Sequence, residues 1–114
     1  MNHQSRNEER RLRELTKREH TLFGGVIFGI DGHVIELQAR AGDTNREGWS
    51  AVVTGMARKP VGESIDRIRG AFASCEITPP PLEVLINLAP AELPKDGTWL
   101  DLPLAVIILQ ALGE

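Results

Sequence analysis

Apolar and polar positions near the start of the chain follow the two-residue period of a β-strand. Residues 22–30 are apolar and β-rich, and residues 33–40 alternate between apolar and polar side chains. The apolar face of the second stretch consists of Ile35, Leu37 and Ala39. Because successive side chains of a strand point to opposite faces, this alternation predicts a half-buried strand. Asp31-Gly32 separates the two stretches, and glycine accepts the positive φ of a tight turn, so the pair predicts a β-hairpin.

The pattern changes to a helical period in the middle of the chain. Residues 49–55 predict a third strand, and apolar side chains then recur every three or four residues, which is one face of a helix. That apolar stripe comprises Val61, Ile65, Ile68, Phe72 and Cys75. Pro60 suits the first helical position, and the three prolines at 79–81 end the helix. Residues 82–89 predict a short apolar strand, so the order strand–helix–strand predicts a crossover unit.

The last apolar run, residues 102–112, contains one polar residue, Gln110. Thr98, followed three residues later by Asp101, is typical of a helix N-cap, and Gly113 is a typical helix stop. A helix that is apolar on all sides must be covered on all sides. Because the preceding residues can cover one side, we expect self-association or another protein subunit to cover the 102–112 helix.

The first 21 residues form a charged arm, with six Lys and Arg against four Glu. Leu12 and Leu15 are the apolar side chains of residues 4–20, and two leucines are too few to anchor a helix. The arm (1–21) is therefore predicted to be helical or disordered, with no firm tertiary burial. The body, 22–114, is predicted to be one α+β domain with the order β-β-β-α-β-α.

Composition narrows the class of protein. The chain has 114 residues, which suits one domain, and 22–114 is acidic, with seven basic against twelve acidic residues. Cys75 is the single cysteine and cannot form an intrachain disulfide, which points to a reducing compartment. On the apolar stripe it predicts a buried thiol. No apolar run reaches about 18 residues, so we expect no membrane span and a cytoplasmic location.

Several catalytic and binding motifs are absent from the sequence. No lysine follows a glycine, which excludes a Walker A loop, and no two glycines are spaced i, i+2, which excludes a GxGxxG dinucleotide site. The three histidines are scattered, and one cysteine cannot build a zinc site of usual spacing. We therefore expect no cofactor and no metal.

Some residues could still carry binding or chemistry. A basic set near the second helix could bind an anion or, weakly, nucleic acid: Arg58, Lys59, Arg67, Arg69 and Lys95. The alternative is a solvated face with intrahelical pairs such as Glu63–Arg67. Ser64 fits a helix-flank or solvent role, and His33 an ordinary surface position. Thr98 could act as a nucleophile with Lys95, but the sequence identifies no base to activate it.

The segment NLAPAELPKDGTWLDLPLA, residues 87–105, resembles the N-terminal domain of the magnesium-chelatase-like ComM/YifB family of AAA+ proteins. FGIDGHVIELQ (28–38), VVTG (52–55) and ESIDRIRGAF (63–72) are similar to segments of that family in the same order. The resemblance covers essentially residues 22–112. It departs from the family over MARKPVG, after the glycine of VVTG, and the charged arm has no counterpart.

The resemblance implies a Lon-protease-like domain of the ribosomal protein S5 domain 2-like fold, of which this chain is the first part. It also implies that Asp96, Gly97, Thr98 and Asp101 form a structural turn and cap. Lon-type peptidases carry a serine two positions after the glycine of this turn. Trp99 occupies that position here, and an indole cannot attack a carbonyl. The resemblance therefore implies a degenerate nucleophile position and no catalytic residue.

These observations predict a non-catalytic interaction or assembly domain that lacks the ATPase module of its family. One alternative is a nucleic-acid-binding accessory domain that uses the arm and Arg58–Lys59. Another is a degenerate Lon-type peptidase domain that uses Thr98 with Lys95.

Overall fold

The computed structural model describes residues 3–28, 30–56, 58–90 and 98–114. Its elements are α1 (His3–Leu15), β1 (Glu19–Phe28), β2 (Asp31–Gly42), β3 (Ser50–Thr54), α2 (Arg58–Ser74), β4 (Glu83–Ala89) and α3 (Asp101–Ala111). The predicted α+β class and the order β-β-β-α-β-α after an N-terminal arm are confirmed, and the arm is helical. In the described part of the chain, no helix is long and apolar enough to cross a membrane.

The four strands form one sheet in the order β1-β2-β4-β3. β1 and β4 both run antiparallel to β2, which lies between them. β3 runs parallel to β4, and α2 connects the two strands. The crossover unit predicted from the strand–helix–strand order is therefore confirmed, and it leaves β1 and β3 at the two edges of the sheet.

The β1–β2 hairpin turns two residues earlier than predicted. Phe28 pairs with Asp31 and Ile27 pairs with Gly32, so Asp31 and Gly32 both lie within β2. The prediction of a turn at Asp31-Gly32 is wrong, because the pairing of the two strands continues through both residues.

One face of the sheet and the three helices share a single hydrophobic core. The inner face of β2 is buried as predicted and consists of Ile35, Leu37 and Ala39. From α2 the core receives Ile65, Ile68 and Phe72, and from α3 it receives Leu104, Ile107, Ile108 and Ala111. The fold therefore has two layers, with the helices on one side of the sheet.

The charged arm is part of this core, which corrects the expectation that it lacks tertiary burial. Leu15 is only 8% exposed and Leu12 is half-buried against the core. The guanidinium of Arg11 donates a hydrogen bond of 3.4 Å to the carbonyl oxygen of Gly113. The end of α1 thus packs against the end of α3, about a hundred residues away in sequence. The local sequence pattern of the arm does not predict a contact with a segment so far away in the chain.

The helices α2 and α3 end in the same backbone arrangement. Gly113 has a φ of +78°, and the amides of Gly113 and Glu114 donate to the carbonyls of Gln110 and Leu109, which is a Schellman motif. Gly113 as a helix stop is confirmed. After α2, Glu76 takes the left-handed position with a φ of +57°, although it is not a glycine.

Cys75 is exposed, which contradicts the predicted buried thiol. α2 ends at Ser74, and Cys75 is the residue between the helix and the left-handed Glu76. The predicted apolar stripe includes one position beyond the end of the helix. In the turn that follows α2, helical spacing no longer directs a side chain toward the core.

Candidate functional site

The segment before α3 was the predicted cap and degenerate nucleophile position. α3 begins at Asp101 after Leu100, without a side-chain cap, so Thr98 is not the N-cap. Instead, the carbonyl of Thr98 accepts a 3.1 Å hydrogen bond from the amide of Asp101. This turn delays the helix by two residues and buries Leu100 in the core. Lys95, Asp96 and Gly97 lie outside the described residues.

Trp99 projects from this turn with 53% of its surface exposed. Its neighbours include the end of the β1–β2 hairpin, where it lines a shallow depression of about 410 Å³ together with Ile27 and Val34. Trp99, where the family resemblance predicts a degenerate nucleophile position, is thus an exposed indole next to other exposed apolar side chains.

Asp101 joins α3 to α2 through Arg67. The guanidinium of Arg67 donates to both carboxylate oxygens of Asp101, at 2.5 Å and 3.0 Å, and to the hydroxyl of Ser64 at 3.1 Å. The hydrogen bonds from Arg67 hold the pKa of Asp101 below its usual value, although partial burial opposes this. The same hydrogen bonding raises the pKa of Arg67. Asp101 therefore has a structural role as the ion-pair partner of Arg67, and not as the predicted cap residue.

Ser64 is fully buried at this junction, so its predicted solvent or flank role is wrong. Its hydroxyl tolerates burial because Arg67, one helical turn later, donates to it. The predicted Glu63–Arg67 pair gives way to the Arg67–Asp101 pair, and Glu63 contributes only a more distant charge. Contact with α3 determines both outcomes.

The predicted basic patch does not converge in the described residues. Arg69 lies 4.1 Å from the centre of the Trp49 ring and donates to the Trp49 carbonyl at 3.2 Å. Arg67 is held by Asp101, on another side of α2. Arg58 and Lys59 are exposed in the first turn of α2, about 15 Å along the axis from Arg69 at a rise of 1.5 Å per residue. The predicted basic residues therefore lie in separate places, and Arg67 and Arg69 each form contacts within the chain.

The outer face of the sheet is mostly exposed, and this is the largest feature that sequence reasoning missed. One row crosses all four strands through residues that pair in register: Thr21, Gln38, Asn87 and Thr54. These side chains are uncharged and polar. The hydroxyl of Thr54 lies 2.8 Å from the amide oxygen of Asn87, within hydrogen-bond distance. A depression of about 300 Å³ lies along this part of the face.

Apolar side chains flank this polar row on both sides. At the hairpin end, Phe23, Ile27 and Val34 are between 56% and 68% exposed. At the β3 edge, Val52 and Leu85 are about half exposed and pair in register with each other. We call these five side chains and the polar row the outer face.

A signal for this surface was present in the sequence. Residues 22–28 are apolar at both odd and even positions, so both faces of β1 must be apolar, and one sheet face can meet only one helix layer. Among the described residues, no three His, Cys, Asp or Glu side chains gather in a cluster that could hold a metal ion. Charged side chains lie on the same side of the sheet, with Glu36 opposite Phe23 and Arg40 between Glu19 and Leu85. This side of the sheet therefore combines apolar, uncharged polar and charged groups, as protein surfaces that bind another polypeptide do.

Comparison with known proteins places this architecture in a family. The family model for subunit ChlI of Mg-chelatase matches residues 41–114, well over half of the chain. The chain is 34% identical over 93 residues to the competence protein ComM of Haemophilus influenzae, which covers 82% of this chain and 18% of that protein. It is 41% identical over 59 residues to YifB of Escherichia coli K12, covering 52% of this chain and 12% of YifB.

An uncharacterised protein of Mycobacterium tuberculosis is 32% identical over 89 residues, covering 78% of this chain and 17% of that protein. The chain therefore spans less than a fifth of the length of these relatives. The match covers α2, β4 and α3, including the Arg67–Asp101 pair and the turn that carries Trp99. The chain belongs to the family of the ChlI subunit of magnesium chelatase.

Proposed function

We propose that this chain forms a non-catalytic interaction or assembly domain, related to the N-terminal domain of the ComM/YifB AAA+ proteins. The two-layer β-β-β-α-β-α architecture supports an S5 domain 2-like, Lon-protease-like fold. The proposal concerns the domain alone, since the chain spans less than a fifth of ComM.

The observation that carries the proposal is the outer face of the sheet. Five large apolar side chains are exposed there, around an uncharged polar row and beside the charged Glu36 and Arg40. Single exposed apolar residues are ordinary, but an extended set rimmed by polar side chains is typical of an interaction site. Burial of such a set against a partner is favourable by about 25 cal/mol per Å² of apolar surface removed from water.

The partner was expected on α3, and the structure shifts the proposed contact to the outer face. Five side chains from Leu104 to Leu112 are buried, and Leu102 is the large apolar residue of α3 that remains strongly exposed, at 72%. A second copy of the chain or another protein subunit would therefore meet the sheet rather than the helix. Leu102 provides a comparison site on the opposite layer.

The peptidase alternative has less support from the geometry. Trp99 replaces the hydroxyl that acyl chemistry needs, and Thr98 is exposed in a turn where its carbonyl, rather than its hydroxyl, is engaged. No described lysine or histidine donates to or accepts from the Thr98 hydroxyl. The domain is accordingly proposed to turn over neither peptide nor nucleotide.

The nucleic-acid alternative rests on the exposed basic residues. Arg6, Arg10 and Arg13 are exposed on α1, and Arg58 and Lys59 on α2, whereas Arg67 and Arg69 are engaged within the chain. Binding through the free groups would weaken with salt and would be lost on removal of the arm. The surface lacks the series of aromatic platforms on which bases stack.

Sedimentation velocity of the 114-residue chain over a concentration series tests the proposal. We expect the mass to rise with concentration, and a lysine at Val34, on the outer face beside β1, to reduce this rise. A lysine at Leu102, which is 72% exposed against 68% for Val34 but lies on the helix layer, is the matched control and should leave the rise unchanged. A wild-type chain that stays monomeric at every concentration would contradict the proposal. Loss of association in Leu102→Lys alone would place the contact on α3 and contradict the assignment to the sheet.

A further inference from the structure

Among the described residues, β1 lies at the edge of the sheet, and over residues 21–28 it has no charge, no proline and no bulge. It pairs with β2 on one side, and the sheet has no described strand beyond it. The pairing with β2 continues for ten residues without a bulge, from Glu19 to Phe28. Residues 21–28 contain neither a charge nor a proline. Natural edge strands are normally blunted by charges, prolines, bulges or short length, and an edge without them is a template for another strand.

We propose that two copies of the chain pair through this edge, β1 against β1 and antiparallel, about a two-fold axis at Gly25. This inference rests on the proposed function and names the surface that would perform it. The result would be one continuous sheet of eight strands, with the helices of both copies on the same side. A two-fold contact of this kind is closed, because each copy offers the same surface to the other.

The side chains of β1 select the register. Residues directly opposite each other in an antiparallel pair lie on the same face of the sheet. Because side chains alternate between the faces, two opposite residues of identical strands are an even number of positions apart. The two-fold axis therefore passes through a residue and not between two residues. Centred on Gly25, the pairing sets Phe23 against Ile27 of the second copy, twice, on the outer face. Residues 22–28 then form the paired segment, which excludes the charged residues 17–19.

Neighbouring registers fit less well. A centre at Gly24 sets Thr21 against Ile27 and Phe23 against a glycine. A centre at Phe23 brings Glu19 against Ile27. Cross-strand aromatic–aliphatic pairs stabilise a sheet, whereas a charge opposite an aliphatic side chain contributes nothing comparable.

The exposed cluster at the hairpin end has the shape that this pairing requires. Val34 pairs with Gly25 in register on β2, so the outer face would carry the row Val34–Gly25–Gly25–Val34 across the axis. Gly25 has no described heavy atom closer than 3.8 Å to an added Cβ, and its missing side chain leaves room for Phe23 and Val34 on both sides. Three exposed apolar side chains per copy would thereby form one strip.

A charge-exchange experiment tests both the surface and the register. Phe23→Lys and Ile27→Glu are each expected to weaken dimerisation by about tenfold or more, because each sets a charge against an apolar side chain at the centre of the contact. In an equimolar mixture, the introduced lysine of one chain faces the introduced glutamate of the other, while the second pair stays native. We therefore expect the mixture to dimerise more tightly than either variant alone, with a one-to-one stoichiometry by sedimentation equilibrium.

Val52→Lys is the matched control, because Val52 is an exposed apolar residue of the same face at the opposite edge. It should leave dimerisation unchanged, and urea unfolding of each variant shows that the domain is folded. If the wild type associates and all three variants associate equally well, the β1 contact is overturned but the proposed function stands. The same holds if the mixture dimerises no more tightly than either of its components. A wild-type chain that never associates would overturn both.

Discussion

Gly55 ends β3 in a conformation that an L-amino acid takes up only with strain. Its φ is +90°, and an added Cβ would lie 2.3 Å from the carbonyl oxygen of Leu88. Leu88 is buried and paired with Leu37 in the centre of the sheet, so its backbone cannot easily move away. The substitution Gly55→Ala therefore combines a dihedral cost with a backbone clash.

The magnitude follows from these two contributions. A non-glycine residue held in a sparsely populated φ region costs about 1–3 kcal/mol. Relieving the clash also requires a distortion of the backbone at Leu88, and a bond-angle change of about 7° costs about 1 kcal/mol. We expect Gly55→Ala to lower the free energy of unfolding by about 3 kcal/mol, which is a large part of the roughly 5–15 kcal/mol typical of a domain.

Urea unfolding followed by circular dichroism measures this change. Gly70→Ala is the matched control, because Gly70 lies inside α2 with nothing within 4 Å of the added Cβ. It should be neutral or stabilise the domain by about 0.5–1 kcal/mol, as alanine does over glycine within helices. The reasoning is refuted if Gly55→Ala unfolds at the same urea concentration as wild type.

Three further substitutions test contacts between distant segments. Leu15→Ala should lower the free energy of unfolding by about 2–4 kcal/mol, because Leu15 is buried against the end of α3. Leu12→Ala should lower it by less, because Leu12 is only half-buried. Negligible effects of both substitutions in urea unfolding would show that the arm does not pack against the core. Asp101→Asn should lower the melting temperature at neutral pH through loss of the Arg67 ion pair. Because the pKa of Asp101 is lower when folded, this difference from wild type should be full above about pH 4 and vanish as the pH falls below it; a pH-independent difference would contradict the role of the charge.

Local periodicity was sufficient for the middle of the fold. The alternation in β2 and the stripe of α2 depend on neighbouring residues and on the helix layer that both elements face. The crossover between β3 and β4 followed from the element order. The family resemblance rested on the turn and helix at 87–105, within the region that the family model matches.

Features decided by distant contacts could not be read from the sequence. Leu15 is buried because α3 ends beside it, and Ser64 is buried because Arg67 turns toward Asp101, 34 residues later. Cys75 is exposed because α2 ends one residue before it. The outer face was not predicted, because the sequence pattern of a strand with two apolar faces, such as β1, is the same as that of a strand buried on both sides.

The central claim is that the sheet surface at β1 forms the contact with another polypeptide. Hydrogen–deuterium exchange of the wild-type chain at low and high protein concentration tests it most directly, because pairing would engage the free backbone groups of the edge. The account predicts that the amides of residues 22–28 that point away from β2 become protected at high concentration, while those of α2 and of the opposite edge, β3, exchange at unchanged rates. Protection that is independent of concentration, or that develops around Leu102 instead, would contradict it.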